Sequence, residues 1–479
     1  MSILKQTLIG AFSAGALASA SVNAAPDAHR WRDMTPWFVD AIKIQRGIQP
    51  ELDWESPEAP RLEDVQLAID ARPVLSGPEY TVETEHFIIH YTDEGKDAAS
   101  EEQVQWSATS LEEVWQREVE EMGYAPPPSD GTKGGDSRYD VYWTFQLGTY
   151  GYCAGESFVD ENSMTSYLAL ANWMGEVETY VTVAHEFFHA LHYGMDALEE
   201  TWWFESTATW MEDQVYDDIN DYYNYIPDVF ENPEQPVNGD TSLMYGYAIY
   251  VHSLSERYGI DIVKEIWLDA SESIAAQATE MNMEVVNRHG DWDETFQNFR
   301  ESLWDLDRFE EGSDYAMAIG SNGEPGEVSF TTTVTSYSKS GQGTMAPTGC
   351  NLIEFEATGD GPGTLEVNYS GGTDLVASLL VETSDGDIVE YASDTEKGAG
   401  AVFTLASFGT AYTRAVLVVS HTGLDGDSSF SYTASVPEWD DGGSTCSLNK
   451  TTGARTGLSL GALMLLSLSG LALRRRRLV

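Results

Sequence analysis

From Thr179 to Met195 the chain carries one formal charge, Glu186, and within that stretch stand His185 and His189, four residues apart. A run this apolar, Val181-Thr-Val-Ala-His-Glu-Phe-Phe-His-Ala-Leu191, predicts a helix that crosses the middle of a folded body and not one that lies on its surface. On such a helix, positions i and i+4 share a face, so both imidazoles reach one metal ion. Glu186, between them, stands where a carboxylate can take a proton from a water on that ion. The remaining segments have to be arranged around this helix.

A catalytic zinc takes three protein ligands and leaves one position open. A third histidine at the metzincin spacing would need Gly at 192 and His at 195; this chain has His192 and Met195. His192 shares a face with His185, but seven residues of helix rise carry it past the ion, which leaves it a core or cleft-lining role. Glu205 is the expected third ligand. It sits behind Trp202, Trp203 and Phe204 on the next expected helix, where a carboxylate is costly unless it serves something. Its rivals Glu199 and Glu200 fall in the connection, and Glu212 lies two turns further on. Thr207, Thr209 and Glu212 are candidates for orienting the outer nitrogen of a histidine. Asp130, Asp136 and Asp140, with glycines between them, are a possible Ca²⁺ loop. Their spacing misses the EF-hand pattern, and a plain turn is the better reading.

The segments His185-Glu-Phe-Phe-His-Ala-Leu-His-Tyr-Gly194 and Trp203-Phe-Glu-Ser-Thr-Ala-Thr-Trp-Met-Glu-Asp213 resemble the gluzincin clan of zinc peptidases. More narrowly, they are similar to a family of secreted metalloproteases from myxobacteria and related bacteria. Thr84–Tyr91, Asp130–Tyr142 and Tyr245–Tyr250 agree, so the likeness spans roughly 80–310. Only 15 residues separate His189 from Glu205, fewer than in thermolysin-like or aminopeptidase members. The resemblance implies an α+β, zincin-like metallopeptidase domain: a mixed sheet, the HExxH helix and a following helical lobe. It implies one Zn²⁺ held by His185, His189 and Glu205, with Glu186 as general base, acting on protein or peptide substrates. It also implies an oxyanion donor from a later helix, at Tyr245 or Tyr247, with His252 the outsider. The strand Ser166–Ala171 resembles the edge strand on which such enzymes lay a substrate backbone.

Around that domain, Met1–Ala24 reads as a secretory leader, with Lys5, an apolar stretch and small residues before Ala25. Residues 25–78 read as a pro-segment or an N-terminal wrap, with nothing that suggests chemistry. The peptidase domain is expected over 79–312, with strands at 87–91, 139–143 and 166–171 and helices at 98–123, 178–195, 201–217 and 243–258. Further helix is expected through 260–310. After glycine-rich 312–325, residues 326–438 alternate in short Thr-, Ser- and Val-rich runs divided by turns, the pattern of an antiparallel β-sandwich. This part resembles the β-sandwich modules that trail secreted bacterial proteases. Residues 439–479 end in an apolar stretch, Gly457–Leu473, and Arg474–Arg477. They resemble the tripartite sorting tails of Gram-negative bacteria; a permanent single-span anchor is the alternative. The protein is therefore expected to be exported, at the cell surface or outer membrane or secreted, as a monomer whose tail engages the membrane or sorting machinery.

The formal charge is −54, and setting aside one cation in the leader and six after Cys446 takes the remainder to about −61. Such a field repels nucleic acid and anionic lipid, so neither is an expected partner. Cys153, Cys350 and Cys446 make no disulfide scaffold, although the first two could pair. A reading of a different class also fits the acidic surface, the sandwich and the tail: a surface-displayed binding or adhesion protein whose zinc site is structural or vestigial.

Overall fold

The computed structural model describes residues 32–435, apart from 58, 147, 240–242, 273–276, 319–327, 335–337, 358–362, 395–396 and 399. The expected leader, the C-terminal tail and Cys446 lie outside the described residues. Among the described residues, no helix is long and apolar enough to cross a membrane. Cys153 and Cys350 are buried free thiols.

The chain is α+β. Two helices, α1 (Thr35–Gln45) and α2 (Leu62–Asp70), precede a five-stranded sheet built from β1 (Tyr80–Glu83), β2 (Phe87–Tyr91), β3 (Tyr139–Thr144), β4 (Gly151–Phe158) and β5 (Met164–Ala171). Its order is β1-β2-β3-β5-β4. The inner strands β2, β3 and β5 run parallel, and β1 and β4 flank them antiparallel. The inner strands are buried on both faces, as near-continuous apolar runs in parallel strands require. α3 (Glu101–Val114) opens on a capping box, in which Ser100 Oγ accepts from Gln103 N at 3.2 Å and Gln103 Oε1 accepts from Ser100 N at 2.9 Å. It continues as a π-helical turn, Trp115–Glu121.

Two expectations change here. Ser166–Ala171 is not an edge strand: β5 lies between β3 and β4, and the sheet's edges are β1 and β4. Two glycines and small residues hide β4 from pattern reading, because the side chains of Tyr193 and Ile42 press close on that strand. A Cβ on Gly155 would come within 2.9 Å of Tyr193 and 3.0 Å of Ile42. Nor is the N-terminal segment a chemically silent wrap. Trp37, Phe38, Val39, Ala41 and Ile42 of α1 enter the main core, and the residues just before that helix enter the site described below.

Across the sheet lies α4 (Glu176–Met195), followed after the short connection 196–200 by α5 (Thr201–Val215). Gly194 lies within α4, and a Cβ there would come within 2.9 Å of Pro128, so it serves a close approach. The helical lobe continues through α6 (Ile226–Glu231), α7 (Ala248–Tyr258), α8 (Asp261–Ala270), α9 (Ala278–His289), α10 (Trp292–Ser302) and the short α11 (Gly312–Tyr315). α7 begins five residues later than expected. Gly246 is packed on the Tyr225 carbonyl, which a Cβ would approach to 2.5 Å, and the preceding turn carries Tyr245.

From Thr332 to Ser435 nine strands form one mainly antiparallel sheet: β6 (Thr332–Val334), β7 (Ser338–Met345), β8 (Cys350–Glu356), β9 (Gly363–Gly371), β10 (Leu375–Thr383), β11 (Ile388–Asp394), β12 (Ala401–Phe408), β13 (Tyr412–His421) and β14 (Ser428–Ser435). The expected sandwich is thus a single sheet that curls over into a nearly closed barrel. Its corner is the one bridge between Phe408 and Tyr412. β9 and β14 alternate buried and exposed, whereas β10 and β13 are buried on both faces. The reason is α10, which packs on their outer side. Gln297 Nε2 donates to Ser378 Oγ at 2.7 Å, and Trp292 Nε1 donates to the Thr422 carbonyl at 2.7 Å. Trp304 joins Cys350, Leu352, Leu380, Val416 and Val418 in a small core of its own.

The three aspartates considered for Ca²⁺ find arginines instead. Arg72 ties down the buried Asp140 (2.5 Å) and the half-buried Asp130 and Glu156 (2.7 Å), and Arg138 holds Asp136 at 2.7 Å. Removing one partner from a buried charge cluster costs about 3–5 kcal/mol. Arg72→Met is therefore expected to lower the denaturant midpoint strongly at neutral pH. The stranded acids would bind protons more readily folded than unfolded, so the deficit should shrink as pH falls. A deficit that is small, or that grows on acidification, would contradict this.

Candidate metal centre

His185 and His189 lie one turn apart on α4, ring centroids 4.6 Å from each other. α5 delivers Glu205 to both: Glu205 Oε2 is 3.2 Å from His185 Nε2, and Oε1 is 3.4 Å from His189 Nε2. A fourth group completes the cluster. Asp33, two residues before α1, puts Oδ2 3.4 Å from His185 Nε2. Asp33, His185, His189 and Glu205 are all fully buried, and their ligand atoms lie within 4.8 Å of one another. Ligands bonded at about 2.0–2.1 Å to one tetrahedral ion stand about 3.3 Å apart, which is the spacing of these three contacts.

The hydrogen bonds behind the rings decide which nitrogens face the cluster. Thr207 Oγ1 spends its one proton on the Trp203 carbonyl (2.6 Å), so it accepts from Trp267 Nε1 (3.2 Å) and from His192 Nε2 (3.2 Å). His192 is held neutral, its pKa pushed far down by burial and then by His189 and His185. Its bare Nδ1 therefore accepts from His189 Nδ1 at 3.2 Å, leaving His189 Nε2 a lone pair. His185 Nδ1 donates to Glu212 Oε1 at 2.8 Å, and Arg32 pairs with that same carboxylate at 2.7 Å. Both Nε2 atoms thus turn lone pairs toward carboxylate oxygens. Among the described residues, His189 Nε2 and Glu205 Oε1 have no hydrogen-bond partner.

Acceptors facing acceptors in a dry interior need a positive charge between them. Without an ion, a second proton on His185 can serve. Burial pulls that imidazole down, but hydrogen bonds to Asp33, Glu205 and Glu212 outweigh it and raise its pKa well above the usual range. Burial alone would likewise push Asp33 up, yet the His185 hydrogen bond and the charges of His185 and His189 hold it far below. A divalent cation fits the donor set and would replace that proton.

Glu186 lies beside the cluster. Its Oε2 accepts from Thr35 Oγ1 at 3.0 Å, while among the described residues its Oε1 is unpartnered. That Oε1 faces the edge strand, where a Cβ on Gly151 would lie 3.3 Å away. Burial, then the charge of Asp33, raises Glu186 well above an ordinary carboxyl. Tyr245 is brought in as well: its ring stands 6.2 Å from that of His185, and its hydroxyl donates to Asp33 Oδ2 at 3.1 Å.

The other candidates go elsewhere. Tyr247 donates to the Gln235 carbonyl, and His252 stacks on Tyr222, its pKa lowered by burial to about 3. Glu199 and Glu200 accept from the backbone at the start of α9. Thr209 Oγ1 is buried and bonds nothing among the described residues. Sequence reasoning missed Arg32, Asp33 and Thr35. The only signal there was Thr35-Pro36, a good helix start, which says nothing of what the preceding acid touches.

A family model described as "Family of unknown function (DUF6055)" matches residues 58–387. The chain belongs to DUF6055. No curated protein matches it. Solved structures with some likeness include the Yersinia pseudotuberculosis-derived mitogen, at 15% identity and TM-score 0.18 over 22% of this chain and 93% of that one. Another is PliG of Aeromonas hydrophila, a periplasmic inhibitor of g-type lysozyme (13%, TM-score 0.18, 22% and 97%). A third is the pre-peptidase C-terminal domain of a Bacillus anthracis collagenase (10%, TM-score 0.18, 23% and 97%). Likenesses this slight carry no argument. The DUF6055 match includes His185, Glu186, His189, Glu205, Glu212 and Tyr245, whereas Arg32, Asp33 and Thr35 fall before it.

The relay through His192 makes a measurable demand. Thr207→Val removes the acceptor that fixes the His192 tautomer, and through it that of His189. Loss of such outer support typically weakens metal binding about 10–100-fold. Competition against a chromophoric chelator should show a drop of that size with the fold intact by circular dichroism. An unchanged affinity would sink the relay.

Proposed function

We propose that this member of DUF6055 is a zinc-dependent endopeptidase, exported and acting on protein or peptide substrates, with a zincin-like arrangement in its helical half. The observation that carries this reading is a two-histidine, one-glutamate set with a carboxylate beside it, Glu186, whose Oε1 is unpartnered among the described residues. That carboxylate faces a sheet edge on which an extended peptide could be laid. A zinc ion on His185, His189 and Glu205 would lower the pKa of a bound water toward about 7 and polarise a substrate carbonyl. Glu186, already biased toward holding a proton by its burial, takes one at Oε1 from the attacking water and passes it to the leaving amine. Tyr245, whose hydroxyl now donates to a carboxylate, would donate to the carbonyl oxygen as charge develops there. Glu212 and His192 keep the two rings in the tautomer the ion needs.

One observation favours the second reading, a binding or adhesion protein with a structural ion: four buried ligands form a closed set, which is what structural zinc sites have. The two readings separate on metal content and turnover. Under conditions that free the site, Glu186→Gln is expected to keep stoichiometric zinc while hydrolysis of a peptide library falls to background. Tyr245→Phe should lower kcat about 10²–10³-fold with bound zinc unchanged. Chelator-sensitive cuts mapped by mass spectrometry would support the peptidase. Full zinc occupancy without any cut, under conditions that free the site, would favour the binder.

A further inference from the structure

Three parts of the site are taken by one short stretch of chain. Asp33 Oδ2 stands at the cluster, 3.4 Å from His185 Nε2, and accepts from Tyr245, the group expected to meet a substrate's oxygen. Thr35 Oγ1 donates to Glu186 Oε2, the expected base. The backbone of 32–35 runs along the free edge of β4. Tyr150 N donates to the Arg32 carbonyl at 2.9 Å, Met34 N donates to the Gly151 carbonyl at 3.2 Å, and Cys153 N donates to Thr35 Oγ1 at 2.9 Å. Asp33 pairs with Gly151 in the parallel sense. Those strand-edge groups are the ones an incoming extended peptide would need.

The stretch is also latched. Arg32 is 2.7 Å from Glu212 and 3.2 Å from Asp221. It lines a small notch with Tyr150, Val177, Glu178, Val181, Thr182 and Asp221. With it in place, His185, His189 and Glu205 are 0% exposed and Glu186 is 1% exposed. A hydrolytic site sealed to that degree leaves a peptide substrate no way in. The sealing residues lie before residue 58, where the DUF6055 match begins. The exposed Asp53, Glu55 and Pro57 fall between the two parts.

From these contacts we infer that Arg32–Thr35 is a built-in inhibitor. Asp33 occupies the position a catalytic metal keeps for solvent, Thr35 occupies the base, and the chain is latent until this stretch is withdrawn. The inference rests on the peptidase reading for its purpose, but not for its test. A permanent structural ligand would also be buried; it would have no reason to engage the general base, the oxyanion donor and the substrate edge together.

The experiment uses the full chain loaded with Co²⁺, as wild type, Asp33→Ala and Asp33→Asn, titrated with acetohydroxamate, a small ligand for an open metal position. The visible spectrum and calorimetry report binding whether or not the protein hydrolyses anything. The wild type should show no response, and Asp33→Ala should bind the probe at least tenfold more tightly while keeping one Co²⁺ per chain. Asp33→Asn should fall between the two, and it guards against misfolding of the alanine variant. Equal binding by wild type and variants would overturn the inference. So would loss of the metal from both variants, which would make Asp33 a permanent structural ligand. Peptide turnover is scored separately against Asp33→Ala/Glu186→Gln. Probe binding without Glu186-dependent turnover would keep the blocking role and count against the peptidase; turnover by the wild type at the rate of Asp33→Ala would do the reverse.

Discussion

The helical half of this molecule is organised around a place where acceptors crowd together. Two imidazoles and two carboxylates converge in a fully buried cluster; among the described residues His189 Nε2 and Glu205 Oε1 have no hydrogen-bond partner, while Tyr245 donates to Asp33. Desolvating such a group costs several kcal/mol for each unpaired ion. It stays in place because each ring is held from behind: His185 by Glu212 and then Arg32, His189 by His192, Thr207 and Trp267. The surrounding aromatic packing follows from the same need. His192 stacks on Trp267 at 4.1 Å, and Phe204 closes on His189, His192 and Trp267. These rings leave the histidines one orientation.

What could be read from the residues is what local spacing enforces. Two histidines four apart on an uncharged helix must share a face. A glutamate after three aromatic residues must serve something if the helix is buried, and Glu205 meets both rings. The long apolar runs of β2, β3 and β5 were legible because strands buried on both sides need no alternation. β4 was not, because its glycines and small residues answer to Tyr193 and Ile42, neighbours that only the folded chain supplies. Mistaking β5 for the edge follows directly from missing β4.

Asp33 was illegible for a stronger reason. An acid 152 positions before His185 carries no periodicity linking it to that ring, and an Arg-Asp pair ahead of a helix is ordinary surface sequence. Its role arises from a strand edge that recruits the preceding chain and from a charge cluster that rewards a carboxylate. Tyr245 was legible only through resemblance. The distinction from Tyr247 depends on Gly246 lodging against the Tyr225 carbonyl, which holds the turn before α7 open and aims the two tyrosines apart.

The doubly buried strands β10 and β13 bear on how the chain can be divided. Their outer faces meet α10 and Trp304, and Arg300, fully buried on α10, donates to the carbonyls of Gln235 and Thr348. Severing the polypeptide in the glycine-rich stretch near 320 would strip Leu352, Leu380, Val416 and Val418 of their cover and leave Trp292 and Trp304 bare on the other fragment. Each piece would carry a sticky apolar scar. The barrel is thus less an appendage than a second wall of the same building, and a version of this protein shortened to its helical half should be insoluble.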